Sequence, residues 1–269
     1  MNSEELAWKI RRHAIEMTHL SKGSHIGSIL SVADIIAILY ADVLHIDPQN
    51  AQMEDRDRII LSKGHAGAAI YAALAEKGFF PISELSTHYS NGSRLSGHVS
   101  HKGVPGVEFS TGSLGHGLPV ATGMAYAAKL QHKKHHIYVV IGDGELNEGS
   151  NWEAMMFAHH FKLDNLTVII DYNKMQSLTF CEETISLKFL DEKIRSFGFN
   201  IIDIDGHNHD ELRKSFKTSF DNKSPTCIIA NTIKGEGIPF MENNILWHYR
   251  SPQGEEYIAA VSELEKIKR

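Results

Sequence analysis

The sequence predicts an α/β protein with a doubly wound, mainly parallel sheet that is flanked by helices. Short apolar runs rich in Val and Ile, such as residues 137–141 and 166–170, alternate with helical patterns along the chain. No repeat, low-complexity run or internal boundary interrupts this alternation. The 269 residues are sufficient to bury a large core, so we predict a single domain over 1–269.

The individual elements are predicted from periodicity and from turn residues. Apolar positions at helical spacing predict the first helix, and Ser31 followed by Asp34 predicts the start of the second. The predicted elements in order are helix 3–20, helix 31–44, strand 59–61, a helix ending at Gly78, loop 89–118, helix 120–130, strand 137–141, a helix beginning near 147–149, strand 166–170, a loop with a short helix at 177–189, helix 190–198, strand 200–206, helix 209–220, strand 225–233, an irregular segment at 233–249 and helix 254–268.

Composition excludes several classes of partner. The chain has 27 basic and 33 acidic side chains and a net charge of -6, which argues against nucleic acid or an anionic membrane as a main partner. No apolar run is expected to approach the roughly 20 residues of a membrane helix, and the N-terminus lacks a signal-peptide core. Cys181 and Cys227 show neither metal spacing nor a disulfide framework, which predicts a reducing cytoplasm.

The central feature of the sequence is a βαβ unit over residues 137–176. Its first strand ends at Gly142-Asp143-Gly144, and its second strand ends about thirty positions later at Asn173. A glycine-flanked turn into a helix is a seat for phosphate, but a bare carboxylate in that turn would repel a diphosphate. A Mg²⁺ ion between Asp143 and the diphosphate, with Asn173 as a second ligand, resolves this conflict. The alternative is an ordinary crossover with a solvated Asp143.

The chain contains 17 histidines, and some of them follow predicted strands or lie in glycine-rich loops. Taken singly, such a histidine is more often a structural hydrogen-bonding residue, but several in the loops of one domain favour a functional site. The candidates are His25, His65, His98, His116 and His248. We place His132, His135 and His136 in a solvated turn, and His159 and His160 on the central helix.

These segments resemble the thiamine diphosphate-binding motif, and GDGELNEG followed by DYNK looks like the transketolase branch of that superfamily. Similar segments occur in order along nearly the whole chain, namely SHIG at 24–27, DRIILSKGHA at 57–66, SRLSGHVS at 93–100, GVEFSTGSLGHGL at 106–118 and TIKGEGIPFMENNILWH at 232–248. The chain departs from the family pattern at Ile26, where the family has Pro, and at His116, where it often has Gln.

The resemblance implies which residues form the site. The implied metal ligands are Asp143, Asn173 and the carbonyl of Met175, which would bind Mg²⁺ or, in its place, Ca²⁺ or Mn²⁺. The implied cofactor-binding residues are His65, Gly112, Ser113, Leu114, His116, Gly142, Asp143, Gly144, Glu145, Asn173 and His248. The implied catalytic residues are His25, His98, His248 and Glu148. Glu148 would join a carboxylate network between two active sites, although it could equally cap a helix.

The resemblance also implies that this chain forms only part of an active enzyme. Thiamine diphosphate supplies the electron sink, and in this superfamily a glutamate for its aminopyrimidine comes from a separate pyrimidine-binding domain. We therefore expect a companion subunit that carries the pyrimidine-binding and C-terminal domains, in an α₂β₂ assembly. The expected reaction is transfer of a two-carbon ketol unit from a ketose or ketose phosphate to an aldose or aldose phosphate.

Several alternatives remain open at the level of sequence. The chain could belong to another thiamine diphosphate enzyme, such as a deoxyxylulose-phosphate synthase-like protein, although Glu148 and the histidines argue against it. It could also be a non-catalytic binding or regulatory subunit of the same fold. A nicotinamide-binding protein is disfavoured by Asp143 in the phosphate turn and by the lack of a clean G-x-G-x-x-G. A zinc hydrolase would need histidines at ligand spacing, such as H-E-x-x-H.

Overall fold

The computed structural model describes residues 1–268 and confirms the predicted sheet. Five parallel strands pair in the order β1-β2-β3-β5-β4. The strands are β1 at Arg58–Leu61, β2 at Ile137–Gly142, β3 at Leu166–Tyr172, β4 at Asn200–Asp205 and β5 at Thr226–Asn231. Because all strands run in the same direction, their carboxyl ends lie along one edge, where such sheets bind ligands.

The helices lie on both sides of this sheet. They are α1 at Ser3–Ser21, α2 at Ile26–Ile38, α3 at Gly67–Glu76, α4 at Gly117–Leu130, α5 at Gly149–His160, α6 at Cys181–Thr184, α7 at Leu190–Ser196, α8 at His209–Asp221 and α9 at Glu255–Lys266. Shorter helical turns are a π-helical turn at Leu39–Val43 and 3₁₀ turns at Gly64–Ala66, Ile82–Thr87, Gly144–Asn147 and Ile245–His248.

Strand β2 shows why the sheet is covered on both faces. Successive side chains of a strand point to opposite faces, and here both faces are apolar. Tyr138 and Val140 pack into the layer formed mainly by α1, α2 and α3. Ile137, Val139 and Ile141 pack into the layer formed by α4 and α5. Two apolar layers therefore hold the strand ends, and the loops that follow them, in fixed positions.

The predicted start of the second helix is wrong. Helix α2 begins at Ile26, after His25 in the left-handed conformation with φ of 76°, and Ser31 lies inside it. Ser31 is buried, and its hydroxyl donates to Asp171 Oδ1 at 2.6 Å rather than to the helix backbone. The Ser31–Asp34 pattern therefore looked like a cap, but Ser31 makes a tertiary contact with β3.

The expectation of no long apolar run is also wrong. Among the residues that the structure describes, the stretch Ile26–Val43 is long and apolar enough to cross a membrane by length and composition alone. However, 83% of this stretch is buried inside the domain, where α2 packs against α1 and α3. Such burial is typical of a core helix, and a helix that is apolar on all sides is expected there.

His136 does not lie in a solvated turn, in contrast to the prediction. Its side chain is buried, and Nε2 lies 2.8 Å from the hydroxyl of Thr167. Burial lowers the pKa of His136 to about 4. His132 is exposed, as predicted, and His135 is partly buried. The sequence could not show that the chain had already turned into the core at the residue before β2.

Candidate active site

A cavity of about 280 Å³ opens at the carboxyl edge of the sheet. Its walls come from the segments that follow β1, β2, β3 and β5, together with the start of α2. The predicted site residues that line it are His25, His65, His98, Gly112, Leu114, Gly142, Asp143, Gly144, Glu145, Asn173, Met175 and His248. The structure thus brings together residues that are far apart in the sequence.

Four histidines form one cluster within this cavity. The ring centroid of His25 lies 5.1 Å from that of His65, 5.5 Å from that of His98 and 5.0 Å from that of His248. The rings of His65 and His248 are 5.8 Å apart. The left-handed backbone of His25 is uncommon for a residue with a side chain, and it is held by a hydrogen bond from the His25 amide to the His248 carbonyl at 2.8 Å.

These imidazoles are neutral near pH 7. Burial, followed by the charge of His98, lowers the pKa of His25 to about 4. Burial, followed by the charge of Lys234, lowers the pKa of His248 to about 3. Burial also lowers the pKa of His65 and His98. Each neutral ring therefore carries one donor and one acceptor nitrogen.

Asp143 lies directly after β2 and is buried. Its Oδ1 accepts a hydrogen bond from the Gly144 amide at 2.7 Å, and its Oδ2 accepts one from the Lys174 amide at 2.5 Å. Burial and then the charge of Asp171 raise the pKa of Asp143 to about 6. A buried carboxylate next to a second carboxylate is an environment that favours a bound cation.

Asn173 lies directly after β3 and is oriented by two contacts. Its Nδ2 donates to Ser31 Oγ at 3.1 Å, and its Oδ1 accepts from the Met175 amide at 3.1 Å. These two hydrogen bonds identify which atom of the Asn173 side-chain amide is the oxygen. The carboxylate of Asp143, Oδ1 of Asn173 and the carbonyl of Met175 therefore supply oxygen ligands of the kind that Mg²⁺ prefers.

The residues beside this oxygen set fit a diphosphate. Gly144 leads into a 3₁₀ turn and α5, and a Cβ at Gly144 would lie 3.0 Å from Cγ of Gln176. The side-chain nitrogen Nε2 of Gln176 is buried without a hydrogen-bond partner among residues 1–268. A buried unpartnered donor beside a close backbone turn suits a phosphate oxygen. In the same described range, no three His, Cys, Asp or Glu side chains could share one metal ion, so the amide and carbonyl oxygens are needed.

The sequence did not indicate the buried ion pair of Lys63 and Asp171. Lys63 follows β1, Asp171 lies in β3, and both side chains are almost fully buried. The Asp171 carboxylate also accepts hydrogen bonds from the hydroxyls of Ser31 and Thr232. Lys63 lies in the segment DRIILSKGHA, where a lysine two residues after an apolar strand was the available signal.

Lys234 is a second site residue that sequence reasoning missed. It is buried, and its Nζ lies 2.8 Å from the Gln176 carbonyl, 3.3 Å from the Met175 carbonyl and 3.0 Å from Nδ1 of His248. Burial and then the charge of Lys63 lower the pKa of Lys234 to about 8. Lys234 therefore connects the predicted metal-ligand carbonyl to the histidine cluster.

Glu145 lines the cavity, but its carboxylate is already bound within the protein. Oε1 accepts from the hydroxyl of Ser62 and from the Gly115 amide at 2.9 Å, and Oε2 accepts from the Gly142 amide at 3.1 Å. Burial raises the pKa of Glu145. These contacts hold the loop before α4 against the ends of β1 and β2.

Three predicted site residues do not line the cavity. Ser113, His116 and Glu148 are exposed. Glu148 occupies the N-cap position of α5, as the capping alternative expects, but its side chain makes no cap hydrogen bond among the described residues. A Cβ on Gly115 would lie 2.5 Å from Cβ of Glu148, so the loop before α4 packs closely against this residue.

The fold and the site together define a class of protein, namely an α/β domain with a polar ligand cavity at the carboxyl ends of its parallel strands. The family profile described as "Transketolase, thiamine diphosphate binding domain" matches residues 2–265. The chain belongs to this family.

Similar proteins cover nearly the whole chain. This chain is 42% identical over 258 residues to the 6-deoxy-6-sulfo-D-fructose transketolase subunit SqwG of Clostridium sp. (strain MSTE9). The aligned region covers 96% of this chain and 94% of that protein. This chain is 43% identical over 264 residues to an apulose-4-phosphate transketolase subunit of Actinobacillus succinogenes, with coverage of 97% and 95%. The transketolase structure from Campylobacter jejuni superposes with a TM-score of 0.92 at 30% identity and covers 98% of this chain. The chain spans 43% of that transketolase.

Proposed function

We propose that this chain is the diphosphate-binding subunit of a two-subunit, thiamine diphosphate-dependent transketolase. The enzyme would transfer a two-carbon ketol unit from a ketose or ketose phosphate to an aldose or aldose phosphate. The observation that carries this proposal is the cluster of four neutral histidines beside the oxygen ligands of Asp143 and Asn173.

The proposed companion subunit carries the pyrimidine-binding and C-terminal domains, so residues 1–269 would form one cofactor-binding domain. Supporting this, two relatives that are named subunits are matched over 94% and 95% of their length, whereas the longer Campylobacter transketolase is matched over 43%. The proposed assembly is α₂β₂. Glu148 is exposed at the start of α5, where its carboxylate is accessible to a second protein chain.

In this proposal, Asp143, Asn173 and the Met175 carbonyl hold Mg²⁺, for which Ca²⁺ or Mn²⁺ could substitute. Gly144, Gln176 and His65 face the diphosphate, and the loop at 112–114 faces the aminopyrimidine end. When bound, thiamine diphosphate supplies the electron sink for carbon–carbon bond cleavage. The residues of this chain bind and orient it.

The proposed roles of the histidines follow from their protonation. His25 and His98 hydrogen-bond the hydroxyls of the ketose and move protons between donor and acceptor, which a neutral imidazole can do in both directions. Ser24 Oγ lies 2.9 Å from Nδ1 of His25 and fixes that ring, so Nε2 is the nitrogen available to a substrate. His248 is oriented by Lys234 in the same way.

For localisation we propose a reducing cytoplasm, because Cys181 and Cys227 are both buried free thiols.

The function is tested by measuring ketol transfer in the presence of the proposed companion chain. His98→Asn should lower kcat at least about 100-fold, as expected for loss of a proton-transfer group. The matched control is His101→Asn, since His101 lies in the same loop but does not line the cavity, and its side chain bonds to the hydroxyl of Ser110. Full activity of the chain alone, or equal activity of the two variants, would overturn the proposal.

A further inference from the structure

A second cluster of charged side chains lies behind the cavity, on the side of α2 that faces α1 and α8. Its centre is Asp34, which is buried and accepts hydrogen bonds from both terminal nitrogens of Arg11, at 3.0 and 2.5 Å. The same carboxylate lies 2.6 Å from Nδ1 of His207 and 3.1 Å from Nε2 of His209. None of these residues has a role in the function proposed above.

His207 extends this cluster toward the active site. Its Nε2 accepts a hydrogen bond from the Ile233 amide at 2.8 Å. Ile233 precedes Lys234, and the segment is also held by the Gly235 amide, which donates to the Gly27 carbonyl at 3.0 Å. The contact at His207 therefore fixes the backbone next to the residue that bonds to the Met175 and Gln176 carbonyls.

Nε2 of His207 has a second possible hydrogen-bond partner. A carboxylate oxygen of Glu236 lies 3.7 Å from Nε2 of His207. An imidazole nitrogen can accept from an amide N–H only when it carries a lone pair, and it can bond to a carboxylate only when it carries a proton. Because Nδ1 donates to Asp34 in either state, the choice between Ile233 and Glu236 depends on the proton at Nε2.

We propose that His207 is a positioning residue whose neutral form holds the Ile233 amide, and with it Lys234, and whose protonation transfers Nε2 to the Glu236 carboxylate. The link to cofactor binding rests on the function proposed above, whereas the exchange of partners at Nε2 is a property of the chain alone. The consequence is a cofactor site whose geometry depends on pH through a residue outside it.

The charges around His207 favour its protonated form. Burial lowers its pKa, but the hydrogen bond to Asp34 and the charges of Asp34 and Glu236 outweigh burial, so the net pKa is raised. The charged groups that face this cluster are Arg11 and Glu4 from α1, Asp34 from α2, His209 from α8 and Glu236 from the segment after β5. Arg11 is the group that opposes protonation of His207.

The test is amide hydrogen exchange at Ile233 in the full chain without cofactor. The protection factor of this amide should fall about five- to tenfold as the pH is lowered through the raised pKa of His207, between about pH 9 and pH 5.5, the size expected for loss of one hydrogen bond. Glu236→Gln should move this change to lower pH, because it removes a carboxylate that stabilises the protonated ring. His207→Asn keeps a donor toward Asp34 but has no atom at Nε2, so it should show low protection at both pH values.

The matched control is His209→Asn, which alters the same Asp34 cluster without touching Ile233. Protection at Ile233 that does not change with pH, or an equal loss in His209→Asn, would overturn the proposal. If His207→Asn fails to fold, the ¹⁵N shift of Nε2 in the unaltered chain provides the same test, since its titration must coincide with that of the Ile233 amide. Failure of the proposed function would appear instead as an absence of cofactor binding with a normal exchange result.

Discussion

At the residue scale, the cavity depends on neutral histidines, of which His248 is buried and His25 and His65 are partly buried. Such residues make stability depend on pH, because an unfolded histidine binds a proton below about pH 6.5 while a buried one does not. Between that value and the folded-state pKa, the unfolded chain therefore holds more protons, and the free energy of unfolding falls as pH is lowered. His25, His88, His136 and His248 all act in this direction.

His88 isolates this effect because it lies outside the cavity. It is buried, burial lowers its pKa to about 4, and neither ring nitrogen has a hydrogen-bond partner in the described part of the chain. We predict that His88→Phe, which keeps an aromatic ring next to Tyr71 and Tyr89, reduces the loss of stability between pH 7.5 and 5 by on the order of 1–2 kcal/mol. Urea unfolding at both pH values measures this difference. An unchanged pH dependence would show that His88 is not held neutral.

The sequence predicts that two site residues lie together when each of them follows an apolar strand and belongs to a recognisable motif. Asp143 and Asn173 follow neighbouring parallel strands, so their proximity could be inferred before the structure. Lys63 and Lys234 could not be inferred in this way, because a lysine beside an apolar run is usually exposed. Only the tertiary structure shows that Asp171 and backbone carbonyls surround them.

At the element scale, the pair of Lys63 and Asp171 joins the end of β1 to the end of β3, across β2. Breaking a buried pair leaves an uncompensated charge, which is more costly than removing both partners. We predict that Lys63→Met lowers the free energy of unfolding by about 3–5 kcal/mol. The double variant Lys63→Met with Asp171→Asn should be more stable than Lys63→Met alone.

Chemical denaturation of the two single variants and the double variant measures this coupling. Strictly additive effects would mean that the pair does not connect the strand ends. The control is Lys129→Met, since Lys129 pairs with Asp164 in a partly exposed position and should change stability by less than about 1 kcal/mol.

The elements themselves were largely predictable, because apolar strands and amphipathic helices alternate along the chain. The exceptions are places where a tertiary contact replaced a local one. Ser31 donates to Asp171 instead of capping a helix, so α2 begins at Ile26. His136 packs on Thr167 instead of facing solvent. Local patterns do not distinguish these outcomes, since both depend on what lies on the neighbouring strand.

At the scale of the whole molecule, the cavity collects contributions from both ends of the chain. His25 at the start of α2 and His248 after β5 are joined through their backbones, and both rings lie against Tyr249. The family and the fold are established by the match over residues 2–265 and by the superposition on solved transketolases. The assignment of individual residues to cofactor, metal and substrate remains a prediction.

This chain is proposed to provide the diphosphate- and metal-binding half of a transketolase site. Calorimetric titration of thiamine diphosphate with Mg²⁺, without and with the companion chain, tests this claim most directly. We predict that binding tightens with the companion present and weakens at least about tenfold in Asp143→Asn, while Asp164→Asn, at a partly exposed position away from the cavity, binds normally. No binding under either condition, or equal binding by Asp143→Asn, would contradict the account.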